Sequence, residues 1–145
     1  MTLEIKLIKT LEYPEGIVNI YENGFVESFI NEDAHLDVPY LIKEKKELEA
    51  LGLNKKFYVL SEPVGFYRIT KEARDLSATK EYGSHLAAVA IVTDHVAERL
   101  VIDVYNKINK PVVPTKVFRE RGLAKEWLMI RWNKAAIENF QALFL

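Results

Sequence analysis

The sequence predicts an α/β domain on a mixed sheet, antiparallel at its start and wound as βαβ units thereafter. Helices lie mainly on one face, and a helical extension closes the chain. Three observations predict this. Residues 86–93 (Leu-Ala-Ala-Val-Ala-Ile-Val-Thr) are an almost unbroken apolar run, the pattern of a strand covered on both faces. A helix-period segment follows, stopped by Asn109-Lys110-Pro111, and residues 112–118 return to a strand pattern. A strand, a crossover helix and a same-direction strand make a right-handed βαβ unit. Near the start, Glu22-Asn23-Gly24 separates two strand-like runs, and Asn-Gly is the strongest short hairpin signal.

Taken in order, Leu3, Ile5 and Leu7 alternate with Glu4, Lys6 and Ile8 as in a half-buried strand, and Tyr13-Pro14-Glu15-Gly16 marks a turn. A type I′ turn is expected at Asn23-Gly24, so residues 1–30 form an antiparallel meander. Asp37 can cap a helix with Pro39 in its first turn, where a missing N–H costs little. Leu41, Ile42, Leu48 and Leu51 supply its inner face and Gly52 its stop. The run Lys43-Glu44-Lys45-Lys46-Glu47 reads as the solvated face of this helix, with a docking patch as the alternative. Residues 56–61 are the next strand. Pro63 and Gly65 open a loop, and Thr70 caps a helix carrying Ala73 and Leu76.

Tyr82-Gly83-Ser84 then returns the chain to the apolar run of residues 86–93. Asp94 is the expected N-cap of the crossover helix, whose stripe Ala97, Leu100, Val101, Val104 and Ile108 is expected to face the sheet. Pro114 lacks a ladder donor, which moves the strand of residues 112–118 to an edge. Residues 119–128 are helical, with Leu123, Ala124, Trp127 and Leu128 on one face. Trp132, Ala136, Ile137, Phe140, Leu143 and Phe144 continue that spacing through residues 129–145. These side chains must leave water, against the chain's own sheet or against a partner subunit, so Trp132, Ile137, Phe140 and Phe144 form a candidate interface.

A chain of 145 residues suits one domain, 1–145, and buries a core without staples. Its net charge of −1 offers no broad basic surface for nucleic acid. Cysteine is absent, which removes disulfides, thiol nucleophiles and thiolate metal sites. No basic leader opens the sequence, and no run approaches the ~20 apolar residues that span a bilayer, so a cytoplasmic protein is expected.

The order and spacing of several motifs carry a resemblance. Ala88-Val89-Ala90-Ile91-Val92, Asn106-Lys107-Ile108-Asn109-Lys110-Pro111, Val113-Pro114-Thr115-Lys116-Val117-Phe118 and Ala124-Lys125-Glu126-Trp127-Leu128 look like small bacterial proteins of the STAS domain group. That group has the SpoIIAA-like fold of anti-sigma-factor antagonists, and the chain most resembles an uncharacterised single-domain branch. Tyr58-Val59-Leu60 and Thr70-Lys71-Glu72-Ala73-Arg74 are similar to that branch's middle strand and second helix. The resemblance covers residues 16–128, strongest after 57. It implies a STAS/SpoIIAA-like mixed sheet and a non-catalytic regulatory or scaffold module that binds a protein partner or itself, with a homodimer as one form.

Such antagonists are phosphorylated on a serine or threonine at the start of the helix that corresponds to residues 70–76, and Thr70 matches by position. A phosphate there would be favoured by the helix dipole and by Arg68 and Lys71. Thr70 lies between Ile69 and Lys71, where the family's Asp-Ser-x-Gly pattern is absent; the plainer reading is a capping threonine. Arg74 beside Asp75 reads as a surface ion pair.

Catalytic, metal and cofactor residues are expected to be none. His85 and His95 would sit at opposite ends of one strand, on the order of 26 Å apart, too far to share a metal. Asp94-His95 reads as a helix cap with an exposed neighbour, and no phosphate loop, dinucleotide fingerprint or nucleophile elbow occurs. Lys116, Arg119 and Arg121 gather where ligands of open α/β sheets sit and are candidate anion contacts. A small apolar or lipid-like ligand carrier is the alternative function, with Phe57, Tyr58, Phe66 and Tyr67 lining a cleft.

Overall fold

The structure, a computed structural model, describes residues 5–144, without the side chains of Phe140, Leu143 and Phe144. Its centre is a six-stranded sheet in the order β1 (Leu7–Tyr13), β2 (Gly16–Tyr21), β3 (Phe25–Ile30), β5 (Phe57–Pro63), β7 (Leu86–Val92), β8 (Thr115–Phe118). The first three strands pair antiparallel, and β3, β5, β7 and β8 are parallel. The expected βαβ arrangement is therefore present, with β8 at the edge that Pro114 predicts. The helices are α1 (Val38–Ala50), α2 (Lys71–Ser77), α3 (Lys80–Gly83), α4 (Val96–Ile108) and α5 (Arg121–Phe144). A second, two-stranded sheet pairs β4 (His35–Leu36) with β6 (Arg68–Ile69).

Strand alternation sorts the core into two layers. On one face Val18, Ile20, Val26, Phe57 and Val59 pack with Leu41 and Leu48 of α1 and Ala73 of α2. On the other, Tyr58, Leu60, Ala88, Ala90 and Val92 pack with Ala124 and Leu128 of α5. The register shift between Phe57/Tyr58 and Leu86/Ala88 leaves Ala87 as a bulge. This extra residue lets Leu86 join the first layer while Ala88 joins the second.

Local chemistry sets the element ends. Asp37 caps α1, accepting the Tyr40 N–H at 2.9 Å, with Pro39 in the first turn, and Gly52 beyond its end has φ +64°. Thr70 caps α2 through the Ala73 N–H. The β2–β3 hairpin is not type I′. Only Gly24 has positive φ, and its N–H donates to the Tyr21 carbonyl, so three residues close the turn. The first strand begins at Leu7 and runs to the turn, later than expected; Leu3 lies outside the described residues. The helix expected over residues 119–128 begins at Arg121 and continues into the extension as one helix, α5.

The charged run on α1 is not simply a solvated face. Lys43 and Lys46 are exposed, but Lys45 Nζ donates to the Glu81 and Tyr82 carbonyls at 2.7 Å. Glu47 accepts the Tyr13 hydroxyl, and burial raises the Glu44 carboxyl above its usual range, opposed in part by a Tyr40 hydrogen bond. Helical periodicity identifies the face but not which long side chains turn back to it. Arg74 likewise bonds the Ile69 carbonyl, and Asp75 pairs with Lys71 instead.

His85 is 7% exposed, its Nδ1–H donating to the Tyr82 carbonyl at 2.8 Å, with its ring against Phe57 and Tyr82. Burial first, then Lys45, holds its pKa down to about 4, against the Tyr82 carbonyl and Glu49. The unfolded chain takes up this proton near 6.5, so the associated stability is complete above that pH and is lost as pH falls towards about 4. We expect a His85→Gln variant to lack about 2 kcal/mol of the acid-side loss that wild type shows between pH 7 and 4.5, read from urea unfolding at the two pH values. Leu128→Ala, which empties the centre of the second layer, is expected to cost about 2–5 kcal/mol in the same assay.

Candidate functional site

α4 is built with its polarity reversed. On its inner side Glu98, Ile102, Tyr105 and Asn106, with Asn109 just past its end, are partly or fully buried, and Ile102 alone is a buried aliphatic. Hydrogen bonds hold this face down: Asn106 Nδ2 donates to the Thr115 carbonyl at 3.1 Å, Asn109 Nδ2 to Asp75 at 2.9 Å, and the Tyr105 and Ser77 hydroxyls meet at 2.9 Å. At the first turn the Thr93 hydroxyl donates to Glu98 at 2.5 Å and accepts the His95 N–H. Asp94 is exposed and does not cap the helix; the N-cap position is His95, whose side chain makes no cap bond.

The apolar stripe faces outward. Val96, Leu100, Val101, Val104 and Ile108 are each 51–74% exposed, and Ala97 is exposed too. The expectation that this stripe covers the sheet is thus overturned. Periodicity measures amphipathicity but not which side meets the protein, and here polar side chains that reach α2 and β8 occupy the inner side. Five half-bared aliphatics on one helix form an apolar patch on the order of a few hundred Å², comparable to the largest patch a monomeric protein usually exposes.

A groove of about 560 Å³ runs beside this stripe, between α4 and the β8–α5 junction, floored by Val96, Leu100, Phe118 and Leu123. Arg99, Asp103, Arg119 and Glu120 form its mixed-charge rim. At the carboxyl ends of the strands, Phe66 is exposed and its ring lies 5.1 Å from that of His95. Apolar surface therefore continues from α4 onto the loop after β5.

The candidate anion contacts are divided. Arg121 Nη1 donates to Glu62 at 2.6 Å and its Nη2 to Glu27, with its guanidinium over the Phe29 ring. Glu27 also accepts the Tyr21 hydroxyl at 2.5 Å. Lys116 lies over the Phe118 ring at 5.4 Å, and Arg119 belongs to the groove rim. The Thr70 hydroxyl is occupied as an acceptor at the start of α2. In the extension, Trp132 packs against Phe25 and donates to the Asn23 carbonyl at 3.1 Å, so this residue meets its own sheet. Ile137 is 57% exposed, and the side chains of Phe140 and Phe144 lie outside the description.

Phe57 and Tyr58 point into opposite layers, Tyr67 is partly buried against the first, and Phe66 is exposed. The four do not line a common cleft, because successive strand residues face opposite ways. Among the described residues no group of three or more His, Cys, Asp or Glu could hold a metal, and no helix is long and apolar enough to cross a membrane.

The fold and this surface define a mixed α/β sheet domain whose crossover helix turns its apolar side out. The chain belongs to the family described as a domain of unknown function (DUF7793), matched over residues 20–130, which takes in α4 and its groove. No curated protein matches it. Among solved structures it is similar to an uncharacterized DUF3478-family protein with a SpoIIAA-like fold from Shewanella loihica PV-4. Identity is 15%, the alignment covers 88% of this chain and 98% of that one, and the TM-score is 0.49.

Removing the guanidinium between Glu27 and Glu62 leaves two carboxylates facing each other. Arg121→Met is expected to cost about 1–3 kcal/mol in urea unfolding, and adding Glu27→Gln and Glu62→Gln to recover most of it.

Proposed function

We propose that this protein is a non-catalytic regulatory or scaffold module that binds protein through the outer face of α4 and the adjoining groove. The carrying observation is the reversal of α4, with its polar side chains bonded inward and five aliphatics left in water. Burying a few hundred Å² of such surface gives on the order of 5–10 kcal/mol gross at about 25 cal/mol per Å², comparable to the whole stability of a small domain. Among the described residues nothing covers this face, so an external surface is the recipient this reading assigns to it.

A carrier of small apolar ligands has one observation on its side. A half-open groove of about 250 Å³ beside α5 is lined mostly by apolar groups, including Tyr21, Phe25, Leu128 and Met129. It is smaller than the ~300–1,000 Å³ of ordinary ligand pockets, so the protein-binding reading is preferred.

A photoreactive benzophenone side chain in place of Leu100, and as a control in place of exposed Lys46, tests the reading in the native cell. Discrete protein adducts from position 100 and none from position 46 are expected. Adducts to lipid alone, or none at all, would overturn protein binding. Val104→Glu is expected to abolish any wild-type adduct while changing the stability of the isolated chain by about 0.5 kcal/mol or less, because this side chain is already in water.

A further inference from the structure

Resting on that reading, we infer that the occupant of the α4 face is a second copy of this chain, docked antiparallel about a two-fold axis passing near Ile102. The spacing of the stripe carries the argument. Val96, Leu100, Val104 and Ile108 form one i, i+4 row, and they are disposed symmetrically about position 102. An isologous contact requires a surface that complements itself under two-fold rotation. Antiparallel packing of this row on itself sets Val96 against Ile108 of the second copy and Leu100 against Val104. The row spans ~18 Å at 1.5 Å per residue, long enough to form the apolar centre of an interface.

Charge beyond the row agrees with the same axis. Asp94 precedes α4 and Lys110 follows it, each eight positions from residue 102 and each exposed. The Asp94 side chain is 85% exposed, with His95 Nε2 3.9 Å away. Antiparallel docking brings Asp94 of each copy beside Lys110 of the other at both ends. A parallel pair would oppose Asp94 to Asp94 and Lys110 to Lys110. No other like charges on α4 meet under the antiparallel register: Arg99 falls opposite Tyr105, Asp103 opposite Val101 and Lys107 opposite Ala97. Steering of this kind selects register and partner more than it adds affinity.

The extent of the surface also suits a copy. A standard interface buries about 800 Å² on each partner around an apolar centre with a polar rim. The α4 row supplies that centre, the groove floor at Phe118 and Leu123 extends it, and Arg99, Asp103, Arg119 and Glu120 supply the rim. A helix that lies on lipid carries a basic bias on its polar side. α4 and its flanks instead balance Asp94, Glu98 and Asp103 against Arg99, Lys107 and Lys110.

Sedimentation equilibrium of the full chain between about 1 and 100 μM tests the assembly, with Leu100→Glu as the disrupting variant. Wild type is expected to be dimeric and the variant to dissociate with a Kd raised by about 100-fold or more, with an unchanged circular dichroism spectrum. The register is tested by cross-linking, which is clean because the chain contains no cysteine. Val96→Cys and Ile108→Cys chains, mixed and oxidised, are expected to form a disulfide-linked pair, and either alone to remain largely unlinked. Wild type that is monomeric at 100 μM, or Val96→Cys linking to itself as well as to Ile108→Cys, would overturn the inference. The two levels separate cleanly. A monomer whose position-100 probe labels a different protein removes the two-fold pairing but keeps the docking module. A monomer that labels no protein removes both.

Discussion

The constraint on which the rest of the structure depends is the two-sided burial of β7. Its short apolar run lies between β5 and β8 in parallel ladders, with Ala88 and Ala90 fully enclosed beneath α5 and Val89 turned to the α1–α2 layer. A parallel ladder needs a crossover on each side and cover on both faces, because neither face can be left to water. The alanines matter here: small side chains let the helix α5 sit close, so Leu128 and Ala124 pack directly onto the strands. The single bulge at Ala87 adjusts the strand so that both layers receive the right side chains.

Once that sheet is covered, α4 is a crossover with little left to bury. β8 is four residues long and stands at an edge, so the surface beneath α4 is narrow. Asparagine, tyrosine and glutamate suit such a place: they reach polar partners on β8 and α2 and the Thr93 hydroxyl, and tie the helix down without needing apolar contact. The helix's aliphatic side is then left in water. Burying that side in the fold would have added stability, so its exposure does not follow from the needs of folding.

Much of the architecture was legible from residue patterns. The apolar run of β7, the position though not the type of the Asn-Gly turn, the caps Asp37 and Thr70, the stop at Gly52 and the edge position that Pro114 favours all act within a few residues of themselves. Local sterics and hydrogen-bond geometry therefore decide them. The small β4–β6 pair and α3 were not legible. Two-residue strands and a four-residue helix carry no periodicity, and their bonds run to distant segments, as from the Arg68 N–H to the Ala34 carbonyl. The Arg121 cluster was half legible: the basic residue stood out, but its partners Glu27 and Glu62 lie far away in the chain on β3 and β5. The candidate site was the least legible part. The signal that could have found it was present in Tyr105, Asn106 and Asn109, a polar stripe with too much hydrogen-bonding capacity to be wasted on solvent.

By itself, then, the sequence determined which segments are strands and helices, which strands are covered on both sides, and that α4 has two unlike faces. These follow from side-chain period and backbone preference, properties that each segment owns independently of the others. Only the tertiary structure decided which face of α4 looks inward, how the aromatics of β5 are shared between layers, and which carboxylates meet Arg121. Those outcomes depend on what stands opposite each side chain in space, and a helix with two usable faces is oriented by the competition between them for the neighbours actually within reach.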